Sequence, residues 1–256
     1  DSTKPTAAST LYTEPFKISS TTVIRCVSVS QGKLTSDIAD LTYIVNEPDT
    51  IETISIVSDP ANFFNPYSGI YATGPYASSE FPYNGANYYN RWEREATLSF
   101  FDKNGGGFSE KCGVRIFGGL SRALDKKSMA FFFRSSYGNG QLNYQLFEDD
   151  SLSVYEALVL RNMGQDWKLS AMRDAMLTSL ASDYMYMDVQ NCRPVVVYLN
   201  GEYWGIYYIR EKINEHFIAG NENVSPDTVT LTECNGGSSR QYQELINYAT
   251  THDLRK

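Results

Sequence analysis

The sequence predicts an α+β chain with two parts, a truncated antiparallel β-sandwich-like module over residues 1–48 and a larger unit over residues 51–256. Short runs in which apolar and polar residues alternate are typical of strands. The Asn200-Gly201 pair between two apolar runs is a strong hairpin signal. Apolar residues that recur every three or four positions after residue 168 indicate a helix beside the sheet.

The sequence of the N-terminal module predicts a small antiparallel sheet. Val23, Arg25 and Val27 alternate onto one face of a strand, a Gln-Gly turn follows, and residues 41–45 form the returning strand. Two strands are too few to form a β-sandwich, so we expect the module to be truncated. The Glu-Pro-Asp sequence at residues 47–49 predicts a linker to the larger unit.

The larger unit opens with strands and then changes period. A glycine-rich hairpin over residues 104–107 joins the second and third strands of this unit. The predicted strands cover residues 53–59, 96–102, 112–118, 127–134, 157–161, 193–200 and 203–209. The predicted amphipathic helix lies between the strands over residues 157–161 and 193–200. Its apolar residues are Leu169, Met172, Met176, Leu177 and Leu180. After residue 214 we expect a helix, a loop, a short strand over residues 228–233 and a last helix over residues 239–250.

Composition excludes several classes of function. The 256-residue chain has a formal net charge of −8, which argues against a nucleic-acid partner. It contains no apolar run of membrane-spanning length, so we predict no transmembrane segment. None of the four cysteines forms a CxxC pair, which excludes a zinc ribbon, and no residue is predicted to bind a metal ion. Isolated thiols are favoured over disulfides, although pairing stays open.

The chain starts at Asp1 without a leader sequence, and we expect it to be an excised segment. Tyrosine is abundant, with 19 residues, and the loops are rich in Asn, Ser, Thr and Gly. This composition is typical of extracellular or surface-exposed proteins.

The stretch over residues 115–134, RIFGGLSRALDKKSMAFFFR, carries the clearest chemical signal. Its Gly-Gly turn presents Arg122, and Lys126 and Lys127 open the next strand, so these cations can converge on one anion. Cations and free backbone N–H groups together bind phosphate oxygens. The alternative is that the lysines are a solvated strand entry and the glycines only form a tight turn.

The order of elements is that of a protein-kinase amino-terminal lobe. The strands over residues 96–102, 112–118 and 127–134 have a glycine-rich first hairpin and Lys127 on the third, and a helix and two more strands come later. In kinases the glycine loop covers the ATP phosphates and an acidic residue on the helix orients the lysine. The signatures differ, because NGGGFSEKCG is not GxGxxGxV and neither HRD nor DFG occurs.

Several long pieces, in order, resemble the CotH (spore coat protein H) kinase family. They are SIVSDPANFFNPYSGIY, WEREATLSFFDKNGGGFSEKCGVRIFGGLSR, DKKSMAFFFRSSYG, LVLRNMGQDW, MRDAMLTSLA and RPVVVYLNGEYWGIYYIREKINEHF. The resemblance implies an atypical kinase-like domain, secreted or coat-associated, that uses ATP and Mg to phosphorylate Ser or Thr of proteins. The N-terminal module resembles the latter part of a chitobiase/β-hexosaminidase carboxy-terminal immunoglobulin-like repeat.

The resemblance also implies roles for four residues. Lys127 would hold the ATP phosphates and Arg122 would be a second phosphate contact, unless it is a salt-bridged turn arginine. Asp174 would orient Lys127, or it could be a helix charge paired with Arg173 or Lys168. Glu211 would line the nucleotide site, or anchor the chain through a salt bridge.

The resemblance also sets an expectation about the carboxy-terminal lobe. The family's metal-binding and catalytic aspartates lie in a tract resembling DWDR or DYDL, and the sequence stops at Lys256 before such a tract. We therefore expect the lobe to be incomplete and this chain alone to be inactive.

Two other functions stay open. The first is a non-catalytic surface scaffold or adhesion module, in which the aromatic loop over residues 65–90 contacts polysaccharide or protein. The second, a glycoside hydrolase, needs two carboxylates across a cleft, and the sequence singles out no such pair. The expected partners are a Ser/Thr-rich protein and cell-surface or polysaccharide-associated molecules, and the expected location is extracellular, at the cell surface or in the spore coat.

Overall fold

The computed structural model describes residues 2–48, 50–147, 152–231 and 240–253. The chain forms two compact units, Asp1–Lys212 and Ile213–Lys256. The predicted division between residues 1–48 and 51–256 stays a prediction. Cys234, the last two residues of the predicted strand over residues 228–233 and the predicted helix start at Ser239 lie outside the described residues.

The first unit contains the strands and two of the helices. Its strands are β1 (Thr22–Cys26), β2 (Ala39–Tyr43), β3 (Glu52–Val57), β4 (Arg94–Phe101), β5 (Gly107–Phe117), β6 (Ser128–Phe132), β7 (Leu142–Asn143), β8 (Val154–Tyr155), β9 (Ala157–Arg161), β10 (Cys192–Leu199) and β11 (Glu202–Glu211). Its helices are α1 (Pro60–Phe64) and α2 (Arg173–Tyr184), with 3₁₀ turns at Asn87–Tyr89, Leu120–Ala123 and Gly164–Asp166.

The second unit is helical where it is described. Helix α3 (Glu215–Glu222) is followed by a 3₁₀ turn at Pro226–Thr228 and by α4 (Arg240–Thr251). The side chain of Asn214 caps α3 by accepting a hydrogen bond from the Phe217 amide. Residues 229–231 are not in a strand, so the described part of that sequence prediction is wrong.

Seven strands close into a barrel in the order β10-β11-β9-β6-β5-β4-β3. All neighbours are antiparallel except β3 and β10, which are parallel and complete the ring. One end of the barrel is here called the upper end. Four strands end there, β3, β5, β9 and β10, and three strands begin there, β4, β6 and β11. The mixture of helices with a mostly antiparallel sheet confirms the α+β class.

The barrel follows from the two-residue period of its strands. Met129 and Phe131 of β6 belong to the main core, whereas Ala130 and Phe132 belong to a smaller cluster on the other face of the strand. The main core is filled by large side chains that are 1% exposed or less: Ile54, Ile56, Leu98, Phe100, Val114, Ile116, Leu158, Leu160, Val195, Val197, Tyr207 and Ile209. Burial of these side chains is the main force that stabilises the fold.

Both predicted hairpins are present. Asn200 and Gly201 have φ values of 53° and 85°, the left-handed conformations that a tight hairpin turn requires. In the glycine-rich hairpin the Asp102 carboxylate accepts hydrogen bonds from the amides of Asn104 and Gly106 at 2.7 and 2.8 Å. These bonds hold the pKa of Asp102 below its usual value.

The glycine-rich hairpin lies far from Lys127, in contrast to the kinase arrangement that the element order suggests. The hairpin joins β4 to the start of β5, at the lower end of the barrel, whereas Lys127 precedes β6 at the upper end. Strand β5 has eleven residues, which span roughly 30 Å at a rise of about 3.3 Å per residue. The glycine turn therefore does not cover Lys127.

Helix α2 is present where a helix is predicted, but its apolar side chains are not buried. The helix starts at Arg173, after a turn in which Asp166 accepts hydrogen bonds from Ser170 and from the Arg173 amide. Met176, Leu177 and Leu180 are 52%, 60% and 45% exposed. The predicted helix is therefore confirmed, but the apolar residues that predicted it do not form a buried face, because no described residue covers this side of α2.

Among the described cysteines, Cys26, Cys112 and Cys192 are free thiols, and Cys112 is buried. Burial raises the pKa of Cys112, so this thiol stays protonated at neutral pH. No described helix has the length and apolar character required to cross a membrane.

The N-terminal strands β1 and β2 pair with each other and contact the barrel through polar groups. Asp40 accepts a hydrogen bond from Arg25 at 2.8 Å and from the Thr97 hydroxyl of β4 at 2.6 Å. The hydroxyls of Thr42 and Ser55 are 2.8 Å apart. Asp40 therefore links the hairpin to the barrel.

We expect Asp40→Ala to lower the stability of the first unit by about 1–3 kcal/mol, because it leaves the half-buried Arg25 without its carboxylate. Urea unfolding followed by tryptophan fluorescence measures this loss. Asp37→Ala, at an exposed position on the same hairpin, is the control. Equal midpoints for Asp40→Ala and the unaltered protein would contradict the role of Asp40.

Candidate functional site

The upper end of the barrel carries three positively charged side chains, here called the cationic cluster: Arg122, Lys126 and Lys127. Gly118, with a φ of 110°, turns the chain out of β5. The 3₁₀ turn Leu120–Ala123 then presents Arg122, and the two lysines return the chain to β6. The local sequence thus brings the three cations to one short connection.

Lys127 is held by neutral groups. Its side chain is buried, and Nζ donates hydrogen bonds to the carbonyl oxygens of Arg122 and Leu124 at 2.8 and 2.7 Å. The nitrogen also lies 4.1 Å from the centre of the Tyr88 ring. Burial lowers the pKa of Lys127 to about 8, although the nearby Asp125 carboxylate opposes this shift.

Arg122 is also bonded to carbonyl oxygens. Its Nε donates to Gly118, and Nη1 donates to Tyr88 and Tyr89 at 3.4 and 3.3 Å. Burial lowers its pKa, and the neighbouring charge of Arg115 adds to the effect. Among the described residues Arg122 therefore has no salt bridge, unlike the turn arginine of the alternative interpretation.

Lys126 completes the cluster. Its Nζ donates to the carbonyl oxygen of Ile206 on β11 and lies 4.3 Å from the centre of the Tyr207 ring. Burial lowers the pKa of Lys126 as well.

In the described part of the chain, none of the three cations forms an ion pair with a carboxylate. Buried or half-buried cations without a negative partner favour an incoming anion, because the anion restores the charge balance that burial disturbs. The cluster therefore fits the phosphate oxygens of a nucleotide.

Two further residues order this end of the barrel, and sequence reasoning missed both. The Tyr71 hydroxyl accepts from the Lys127 amide and donates to the Asp125 carbonyl, both at 3.0 Å. Asn162 donates to the Lys126 carbonyl and accepts from the Ser128 hydroxyl. Tyr71 lies in the aromatic loop, but its sequence neighbours gave no sign of a contact with Lys127.

Asp174 lies elsewhere. Its carboxylate accepts a hydrogen bond from Arg161 at 2.7 Å and lies 3.0 Å from a guanidinium nitrogen of Arg210. The structure does not bring it to Lys127, and its partners are not the Arg173 or Lys168 considered from the sequence. The orienting role of Asp174 stays a prediction without a supporting contact.

Glu211 is the last residue of β11 and therefore lies at the lower end of the barrel, opposite the cationic cluster. It is buried, and its Oε2 accepts a hydrogen bond from the Asn191 amide at 2.9 Å. The structure does not bring Glu211 together with Lys127 and Arg122.

The described residues contain no group of three His, Cys, Asp or Glu side chains placed to hold a metal ion. They fit a phosphate group but offer no such ligand set for Mg.

Comparison with known families gives two matches. Residues 114–253 match the family described as CotH kinase protein, and residues 1–43 match the family described as Fn3 associated. The second match agrees only loosely with the expected immunoglobulin-like repeat of chitobiase type. No curated protein matches the chain. Because the first match covers more than half of the sequence, including Lys127 and Arg122, the chain belongs to the CotH kinase family.

Proposed function

We propose that this chain is part of a kinase-like domain that binds ATP at the upper end of its barrel, and that the complete domain transfers phosphate to Ser or Thr of surface or coat proteins. Family membership implies a nucleotide and a divalent metal ion. The observation that carries the proposal is the cationic cluster, whose three charges have no carboxylate partner among the described residues.

Each residue of the cluster has a distinct task in this proposal. Lys127 exchanges its two carbonyl acceptors for phosphate oxygens, which form shorter and stronger hydrogen bonds with an ammonium group. Arg122 supplies a second contact from the adjoining turn, and Tyr71 fixes the backbone of Lys127. Catalysis of phosphoryl transfer depends largely on positioning and charge stabilisation, which such a cluster supplies.

The test is the melting temperature of the protein with and without Mg-ATP, together with mass spectrometry for phosphate on added Ser/Thr-rich protein. A ligand at about a hundred times its dissociation constant stabilises the folded state by about 2.7 kcal/mol, which raises the melting temperature by a few degrees. Neither a shift nor incorporated phosphate, with Mg or with Mn, would overturn the proposal.

ATP binding should weaken as pH rises. Lys127, whose pKa burial lowers to about 8, is charged below this value and loses its proton above it. Affinity should therefore be constant near pH 7 and fall by up to about tenfold per pH unit above 8. Titration calorimetry between pH 7 and 9.5 measures this, with Lys127→Arg as the variant that keeps its charge. An affinity that rises with pH would contradict the assignment.

We also propose an extracellular or cell-surface location, including the spore coat with which the family is linked. A second function, a non-catalytic adhesion module, is favoured by the exposed aromatic side chains of the loop before β4. Tyr67, Tyr76 and Phe81 are 69%, 82% and 55% exposed and suit contact with sugar or protein. Binding to a polysaccharide that survives Lys127→Ala, without any response to ATP, would support this second function.

A further inference from the structure

Three aromatic side chains meet beside the cationic cluster. Phe64 at the end of α1, Tyr71 in the following loop and Trp204 on β11 have ring centres 5.4 to 6.2 Å apart. They are here called the aromatic cluster. Because its members come from separate elements, the cluster depends on the tertiary fold.

A β-bulge positions the tryptophan. The pairing between β10 and β11 shifts by one residue where Val197 faces Gly205 and Tyr198 faces Tyr203, so Trp204 is the extra residue. Gly205 has a φ of 116°, which favours glycine. Bulges re-aim side chains and are frequent beside functional sites. Here the bulge turns Trp204 towards Phe64 and Tyr71.

The aromatic and cationic clusters contact each other. Tyr71 belongs to the first and bonds to the Lys127 amide. Lys126 reaches the Ile206 carbonyl, two positions after Trp204 on the same strand. A ligand that carries both a planar ring and phosphate groups would contact both clusters at once.

The aromatic cluster is also partly open. Helix α1, capped by Asp59 and started by Pro60, turns Phe63 into the core and leaves Phe64 46% exposed. Trp204 is half-buried. A side chain that served only to close the end of the barrel would stabilise the folded state more if it were completely buried. The exposed ring of Phe64 is instead available to a ligand.

We propose that Phe64 and Trp204 stack on the base of the bound nucleotide while the cationic cluster holds its phosphates. This inference rests on the proposed function, since it locates the base of the same ligand. Stacking on aromatic side chains is tolerant of the base, so it supplies affinity for nucleotides over inorganic phosphates more than discrimination between bases.

The experiment compares ATP with inorganic tripolyphosphate, which has the phosphates but no ring. Dissociation constants are measured by calorimetry for the full chain and for Phe64→Ala and Trp204→Phe, two changes chosen to keep the fold. We expect Phe64→Ala to weaken ATP binding about tenfold and to leave tripolyphosphate binding unchanged. Tyr203→Ala, at a 61% exposed position beside the bulge, is the control and should change neither.

Fluorescence gives an independent readout. The chain has three tryptophans, so Trp92→Phe with Trp167→Phe leaves Trp204 as the sole tryptophan, whose fluorescence can be excited selectively over that of tyrosine. We expect ATP, but not tripolyphosphate, to quench its fluorescence.

Any of three results would overturn the stacking inference and leave the proposed function standing. The affinities for ATP and tripolyphosphate could fall equally in Phe64→Ala, neither variant could lose affinity for ATP, or ATP could leave the fluorescence of Trp204 unquenched. Failure of the unaltered chain to bind either ligand would instead overturn the proposed function, and the stacking inference with it.

Discussion

Replacing Lys127 with methionine should weaken ATP binding about 10- to 150-fold. The change removes the charge that faces the phosphates, and a hydrogen bond to a charged group contributes about 1.5–3 kcal/mol. Methionine keeps the length of the side chain, so the packing against the Tyr88 ring is largely preserved. Calorimetric titration with Mg-ATP at pH 7 measures the effect.

The control for this variant is Lys168→Met, at an exposed lysine whose nitrogen lies over the Trp167 ring. It removes the same charge from the same compact unit, at an exposed position that is not part of the cationic cluster. An unchanged affinity in Lys127→Met, with a normal melting temperature, would show that Lys127 is a structural cation held by the carbonyls of Arg122 and Leu124.

Phe131→Ala should lower the free energy of unfolding by about 3–5 kcal/mol, the largest effect on stability that we expect. Phe131 lies on β6, faces Val114 and Leu158 on the neighbouring strands, and is completely buried. Removing its ring leaves a cavity in the barrel that the surrounding strands cannot fill without distorting their pairing.

Urea unfolding followed by tryptophan fluorescence measures this loss, because Trp92, Trp167 and Trp204 all lie in the first compact unit. Tyr203→Ala removes an aromatic ring of similar size from an exposed position and should change the stability by less than about 1 kcal/mol. Similar midpoints for the two variants would show that β6 does not contribute to the core as described.

The strands were predictable because their residues alternate between a buried and an open face. The Asn200-Gly201 hairpin was predictable because few sequences adopt two successive left-handed conformations. Closure of the barrel was not predictable, because the parallel pairing of β3 with β10 joins segments that are distant in sequence. A local pattern carries no information about such a contact.

The candidate site was predictable only in part. Arg122 and Lys127 lie in one short connection, so their proximity follows from the sequence, and the Lys127 ammonium indeed bonds to the Arg122 carbonyl. Glu211 was grouped with them by analogy to another fold, but the direction of β11 places it at the opposite end. Asp174 faces Arg161 and Arg210, which come from separate strands and are not neighbours in the sequence.

The parallel pair that closes the barrel also affects how the chain is made. Ile54 pairs with Val197, about 140 residues later, so at ribosomal rates of about 5–20 residues per second β3 waits roughly 7–28 s for its partner. During that time its edge offers unpaired backbone groups to other nascent chains. Slow translation or high expression should therefore favour aggregation of this protein, and co-expressed chaperones that shield strand edges should increase the soluble yield.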